Sequence, residues 1–316
     1  MLRRLHHRIS KCHFLPLCAV LMLAACQRAP SPPAAASGPE AAVQSLATHL
    51  RDDDLVGFAK AAVPPAEYIA LETAWRQGRS RWPLTELPLH DQWVPMLATL
   101  SASGSELALQ QAFARNLAKQ DRDLRDAARS LGLFGVKYIS GEGAYTDEER
   151  AHYTQVIQAL SEWAQQAPLG DSKRAAEAIA SMATAARATR LASEEQLSHA
   201  GMEASLRQLS PFFKASKATL ARYGLPLDRS FSTLRLSLVE QDGARARVRM
   251  RYTLGASEID AVVSLQRKAG RWYLADTLRH AQHALSGPEP ASSDQVQREA
   301  SVPDIAMPSK PVDTPR

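Results

Sequence analysis

The sequence predicts an α+β protein, a mostly helical body followed by a C-terminal four-stranded antiparallel meander. Three observations predict it. Apolar residues recur at helical spacing, between recognisable caps, over most of residues 41–224. From about residue 230 the apolar period changes to two. Two short turns, Gln241-Asp242-Gly243 and Lys268-Ala269-Gly270, then divide that stretch into strands.

The elements follow in order. Val43, Leu46, Ala47 and Leu50 share one helical face. Asp52-Asp53-Asp54 comes next and reads as a turn and N-cap for a second helix, in preference to a cation site. Residues 75–96 mix Trp75, Trp82 and Trp93 with Pro83, Pro88 and Pro95. Proline interrupts regular structure, so this is expected to be a long loop pinned to the core by its aromatics, rather than a ligand groove lined by three rings. Ser103-x-x-Glu106 predicts a capping box opening a helix with Leu109, Phe113, Leu117, Leu124, Ala128 and Leu131 on one face. The glycine-rich stretch Gly132–Gly143 fits neither G-x-G-x-x-G nor the Walker pattern and reads as a helix–helix connection. Thr146-x-x-Glu149 is a second capping box, and Pro168 and Gly170 end its helix. Asp171 caps a third helix and Ser193-x-x-Gln196 opens a fourth. Ser210-Pro211 reads as N-cap and first residue of a fifth, which stops at Gly224.

In the meander, Phe231–Glu240 is expected to put Leu234, Leu236 and Leu238 on one face. Residues 244–254 alternate strictly, with Ala246, Val248, Met250, Tyr252 and Leu254 on one side and Arg245, Arg247, Arg249 and Arg251 on the other. Ile259, Ala261, Val263 and Leu265 continue the apolar side, and Arg271–Asp276 closes the sheet.

The N-terminus carries Arg3, Arg4, Arg8 and Lys11, an apolar stretch from Phe14, and the tetrapeptide Leu23-Ala24-Ala25-Cys26. This resembles the signal and lipobox of bacterial lipoproteins. The resemblance implies cleavage between Ala25 and Cys26, lipidation of the Cys26 thiol, and a membrane partner through that lipid. With Gln27 after the cysteine, it also implies the periplasmic face of the outer membrane. The apolar stretch is too short for a mature membrane span, which needs about 20 residues. Cys12, Cys18 and Cys26 are the only cysteines, so a processed chain has no free thiol for catalysis, metal ligation or a disulfide. The whole chain has 38 Lys+Arg against 33 Asp+Glu; without the four basic residues of the first 25 positions the balance is 34 against 33. A nearly neutral mature chain gives no electrostatic footprint for nucleic acid.

The organisation expected from these features is a signal over 1–25, a lipidated cysteine and Pro/Ala-rich tether over 26–40, a helical region over 41–225, a sheet region packing with the first helices over 226–285, and a Pro-rich disordered tail over 286–316. The early helical segment AAVQSLATHLRDDDLVGFAKAAVPPAEY and the closing GRWYLAD together resemble the cystatin-like cone of the nuclear-transport-factor-like superfamily. That resemblance covers the two ends of the body and leaves about 69–225 as additional helical structure. Some members of that superfamily are enzymes with an acid–base pair in the cone, and no such pair can be placed on this sequence.

The chemistry-bearing features are few. Arg245, Arg247, Arg249 and Arg251, joined by Arg235 from the neighbouring strand, form a candidate face for an anionic partner. Like charges at such spacing repel unless an anion compensates them, and a solvated face balanced by Asp260 and Glu258 is the alternative. His280-x-x-His283 reads as a pair of helix-surface histidines, with no third ligand in sequence. No catalytic residue, metal site or cofactor is predicted. The expected function is that of a lipid-anchored, non-enzymatic binding module for an envelope protein or anionic ligand. A small-ligand or enzymatic cone with an apolar pocket, and a structural envelope lipoprotein, are the alternatives.

Overall fold

Helix α1 (Pro39–Arg51) begins inside the stretch expected to be tether, because proline at a helix start sacrifices a backbone donor that has no partner there anyway. The computed structural model describes residues 38–87, 90–143 and 145–286. The signal, Ala25, Cys26, the tether up to residue 37 and the tail beyond 286 lie outside the described residues. Asp53 and Asp52 close α1, and Asp54 caps α2 (Leu55–Ala62) by accepting from the Gly57 amide at 2.8 Å. Helix α3 (Pro65–Arg76) carries Trp75 in its last turn. Among the described residues, 77–87 and 90–92 are irregular apart from two short 3-10 turns at Leu84–Glu86 and His90–Gln92. Trp75 and Trp82 are fully buried, and Trp93, opening α4 (Trp93–Ser101), meets Phe212 edge-on at 6.3 Å. The rings therefore pin the segment to the core.

Three helical expectations are corrected. The helix expected over 103–131 is two helices, α5 (Ser105–Asn116) and α6 (Asp121–Gly141). Gly104, at φ 75°, takes the N-cap position, and Glu106 binds Arg187 at 2.5 Å instead of turning back to Ser103. Lys119 turns the chain at φ 63°, its amide bound to Gly170 O at 3.2 Å. Second, the glycine-rich stretch is helix: α6 runs through it to Gly141. Gly132 and Gly135 face α7 (Asp147–Gln166), where a Cβ on Gly132 would stand 2.3 Å from Ser161 Oγ and one on Gly135 would stand 3.1 Å from Ile157. The glycines serve close helix packing rather than a turn. Third, Ser210-Pro211 lies inside α10 (Met202–Arg222). An interior proline costs about 3 kcal/mol; burial of Met202, Leu206, Leu209 and Phe212 along the same helix outweighs it.

The remaining caps form as expected. Thr146 and Glu149 make a reciprocal capping box on α7. Asp171 caps α8 (Ser172–Thr189) and Ser193 caps α9 (Glu194–Ala200). After Gly224 the chain makes α11 (Leu227–Ser232), so the first strand starts later than the alternation implied.

The sheet runs in sequence order, β1 (Arg235–Asp242), β2 (Arg245–Leu254), β3 (Ser257–Lys268) and β4 (Arg271–Leu274), all antiparallel. Register pairs Leu236 with Met250 and Leu238 with Val248, on the expected inward face, although Leu238, just before a bulge on this edge strand, remains 44% exposed. The final strand is shorter than expected, since α12 (Ala275–Ser286) begins directly after Leu274. The two edges of the sheet are protected. Glu40 accepts from the Leu238 amide on β1 at 3.1 Å. On β3, beyond the reach of β4, the Gln155 side chain of α7 donates to Asp260 O at 2.9 Å and accepts from Asp260 N at 3.0 Å, mimicking a strand.

Three apolar clusters hold the body. The largest gathers Trp75, Trp82, Leu197, Met202, Phe212 and Leu278 between the first helices, α8–α10 and α12. The second packs Val43 of α1 on Ala246, Val248, Leu265 and Trp272. The third packs Ala159 of α7 on Leu225, Leu254 and Ile259. The inner face of the meander is thus covered by helices, and the arginine face is left outward.

Candidate functional site

Alternation along β2 sends Arg245, Arg247, Arg249 and Arg251 to the face opposite Ala246, Val248 and Met250. Register places Arg235 directly across from Arg251, so the structure brings together all five arginines singled out in the sequence. The face is open: the side chains of Arg247, Arg249 and Arg251 are 46%, 48% and 49% exposed.

Carboxylates answer three of the five. Arg249 Nε donates to Asp260 Oδ1 at 2.8 Å and Arg251 Nε to Asp260 Oδ2 at 2.9 Å. The hydrogen bond from Arg249, then that from Arg251, holds Asp260 below the usual carboxylate range. Arg247 Nε donates to Glu148 Oε1 of α7 at 3.0 Å, and the other oxygen of Glu148 accepts from Ser264 Oγ at 2.6 Å. Glu240 Oε2 stands 3.8 Å from Arg247. Among the described residues, Arg235 and Arg245 make no ion pair, and Glu258 pairs with none of the five. Arg245 and Arg247, with Glu240, Asp242, Ser264 and Gln266, line a shallow depression of about 380 Å³ at the hairpin end of this face.

A larger concavity, about 530 Å³, opens between the C-terminal ends of α7 and α10 and the β2–β3 turn. Its polar groups are already engaged with one another. Ser257 Oγ donates to Glu162 at 2.7 Å, Trp163 Nε1 to Tyr223 O at 2.8 Å, and Arg174 to Arg222 O at 2.6 Å. Behind the meander, where a cone-type ligand would sit, α1 inserts Val43 against Val248 and Trp272.

One cluster has no counterpart in the sequence reading. His280 of α12 stands between two carboxylates, with Nδ1 2.8 Å from Glu86 Oε2 and Nε2 3.3 Å from Glu149 Oε1. The Glu86 hydrogen bond raises the His280 pKa above its ordinary value against the opposing effect of burial. Glu149, almost fully buried, also accepts from the Thr146 amide at 2.8 Å and from Arg279. Burial raises Asp276 and, most strongly, Tyr153 beside it, with Glu149 adding to both. The two imidazole nitrogens address separate carboxylates, so the arrangement is a tie between α12, α7 and the Leu84–Glu86 turn. The sequence located two of its members, Glu149 in the Thr146-x-x-Glu149 motif and His280, which is tied to carboxylates instead of standing on the helix surface. Glu86 and His280 lie 194 residues apart, and no local pattern links them. His283 is exposed on the same helix.

No described helix is long and apolar enough to cross a membrane. Comparison of the chain with protein-family models, with curated proteins and with solved structures yields no match.

Proposed function

We propose that the chain is a lipid-anchored protein of the bacterial envelope, held at the periplasmic face of the outer membrane through Cys26, and that its body is a non-enzymatic binding module for an acidic protein segment. The supporting observation is the outward sheet face, on which five guanidinium groups converge and two of them, Arg235 and Arg245, have no ion pair among the described residues. A guanidinium presents a planar fork of donors that matches a carboxylate. The ladder of Arg247, Arg249 and Arg251 is already engaged by Glu148, Glu240 and Asp260. Recognition therefore falls to the two uncompensated residues, one at each end of the face.

The test is a titration of a fluorescent oligoglutamate peptide with the full chain at several salt concentrations. Binding weakens as salt rises, because exposed charges are screened over about 8–10 Å at physiological ionic strength. Arg235→Gln/Arg245→Gln lowers affinity by roughly three- to tenfold at low salt and flattens the salt dependence, consistent with ~0.2–1 kcal/mol per exposed pair. Its thermal midpoint stays at the wild-type value, as both side chains are outside the core. Equal affinity of variant and wild type would overturn the assignment.

A further inference from the structure

Helix α6 presents a surface that nothing in the fold accounts for. Its main packing partner is α7, met through Ala128, Gly132, Gly135 and Ile139. On the outward side Leu131 is 69% exposed, Leu133 70%, Phe134 67% and Tyr138 47%, with the rings of Phe134 and Tyr138 stacked at 6.3 Å. Leu131, Phe134 and Tyr138 follow one another at three and four residues, so they form a single stripe rather than scattered surface residues. The charge on this helix is asymmetric. Asp121, Asp123 and Asp126 lie at its N-terminal end with Arg122 and Arg125, whereas residues 127–141 contain no acid, and of their two cations Arg129 donates to Gln165 of α7 while Lys137 lies on the outward side. Lys137 flanks the stripe one turn from Leu133.

We infer that the C-terminal half of α6 docks on an anionic phospholipid surface, with Leu131, Phe134 and Tyr138 entering the headgroup–acyl boundary and Lys137 meeting lipid phosphates. Large aliphatic and aromatic residues on one face, with a lysine and no acid beside them, match the requirements of a helix lying in the plane of a bilayer. A convex helix face offers no groove for an extended peptide, but it sits flush on a flat surface. Chain length supplies the occupant. Cys26 precedes Gly38 by twelve residues, a span of at most about 40 Å when fully extended. On the anchored reading, on which this part of the argument rests, the bilayer stays close to the body and its effective concentration is high.

The test separates the two ideas by removing the lipid from every sample. The full chain is prepared with Cys12, Cys18 and Cys26 all changed to Ser and a single cysteine introduced, either L131C on the stripe or I69C on exposed α3, and labelled with a nitroxide. Power-saturation EPR is recorded with vesicles of phosphatidylglycerol and phosphatidylethanolamine, and with phosphatidylcholine alone. On anionic vesicles the label at 131 gains oxygen accessibility and loses access to a water-soluble nickel complex, while the label at 69 remains aqueous. Phe134→Ser/Tyr138→Ser, both at exposed positions, abolishes the change, and Lys137→Glu weakens vesicle association at least threefold with unchanged circular dichroism. A label at 131 that stays aqueous on anionic vesicles overturns the proposal. So does the same response at 69, which reports nonspecific adsorption, or concentration-dependent burial of 131 without lipid, which reports pairing with a second copy. Since no sample carries the lipid, none of these results bears on whether Cys26 is acylated.

Discussion

Trp75→Ala lowers the stability of the body by about 3–5 kcal/mol, the range for truncating a large buried aromatic. Trp75 has no solvent exposure and lies in the largest cluster with Leu71, Leu197 and Leu206. Its loss leaves a cavity and also removes the buried hydrogen bond that Trp75 Nε1 donates to Leu197 O at 2.8 Å. Arg81 loses a surface as well: its guanidinium lies 5.2 Å from the indole centroid while it bonds Trp75 O and Glu194. One truncation therefore loosens α3, the irregular segment after it and α9 together. Urea unfolding of wild type and variant measures the effect, and thermal melts show a fall in midpoint of roughly 10 °C. A loss under about 1 kcal/mol would show that Trp75 does not hold these elements together.

Lys217→Ala costs about 3 kcal/mol, through a different mechanism. Lys217 is buried, and its ammonium donates to Leu50 O at 3.0 Å and Arg51 O at 2.6 Å, the last carbonyls of α1. Asp53 Oδ1 lies 2.8 Å away and Asp228 also accepts from it. A cation here completes the negative end of a helix dipole and compensates two carboxylates at once. It also fixes α10 against α1 and the start of α11. Without it, two carbonyls and Asp53, held at φ 60°, lose their charged partner in a partly desolvated site. Hydrogen exchange provides the local readout: the amides of Asp52, Asp53 and Asp54, bonded to Thr48, Leu50 and His49 carbonyls, exchange faster in the variant by more than the global loss explains. Uniform exchange changes, or a loss near zero, would contradict the role.

What the sequence made legible was local. Asp54, Thr146 with Glu149, Asp171 and Ser193 each cap the helix expected of them, since a cap is decided by residues three positions apart. The arginine alternation of β2 was legible for the same reason, because a strand inverts its side chains at every residue. The errors arose where a distant contact overruled a local signal. Gly132 and Gly135 read as a break until Ser161 and Ile157 were placed against them. Pro211 read as a helix start, although the apolar face continuing through it carries the helix on both sides. Of the arginine partners, Asp260 was anticipated from the adjacent strand, while Glu148 comes from α7, ninety-nine residues before Arg247. The Glu86–His280–Glu149 tie was illegible throughout, being assembled from three segments with no shared pattern.

The envelope reading rests on Cys26, and metabolic labelling with a palmitate analogue tests it most directly. Wild-type chain incorporates label and fractionates with membranes, whereas Cys26→Ser incorporates none. It then appears as unlabelled periplasmic protein or as unprocessed precursor. Label retained on the Cys26→Ser chain, or wild-type chain without label, would contradict the anchor.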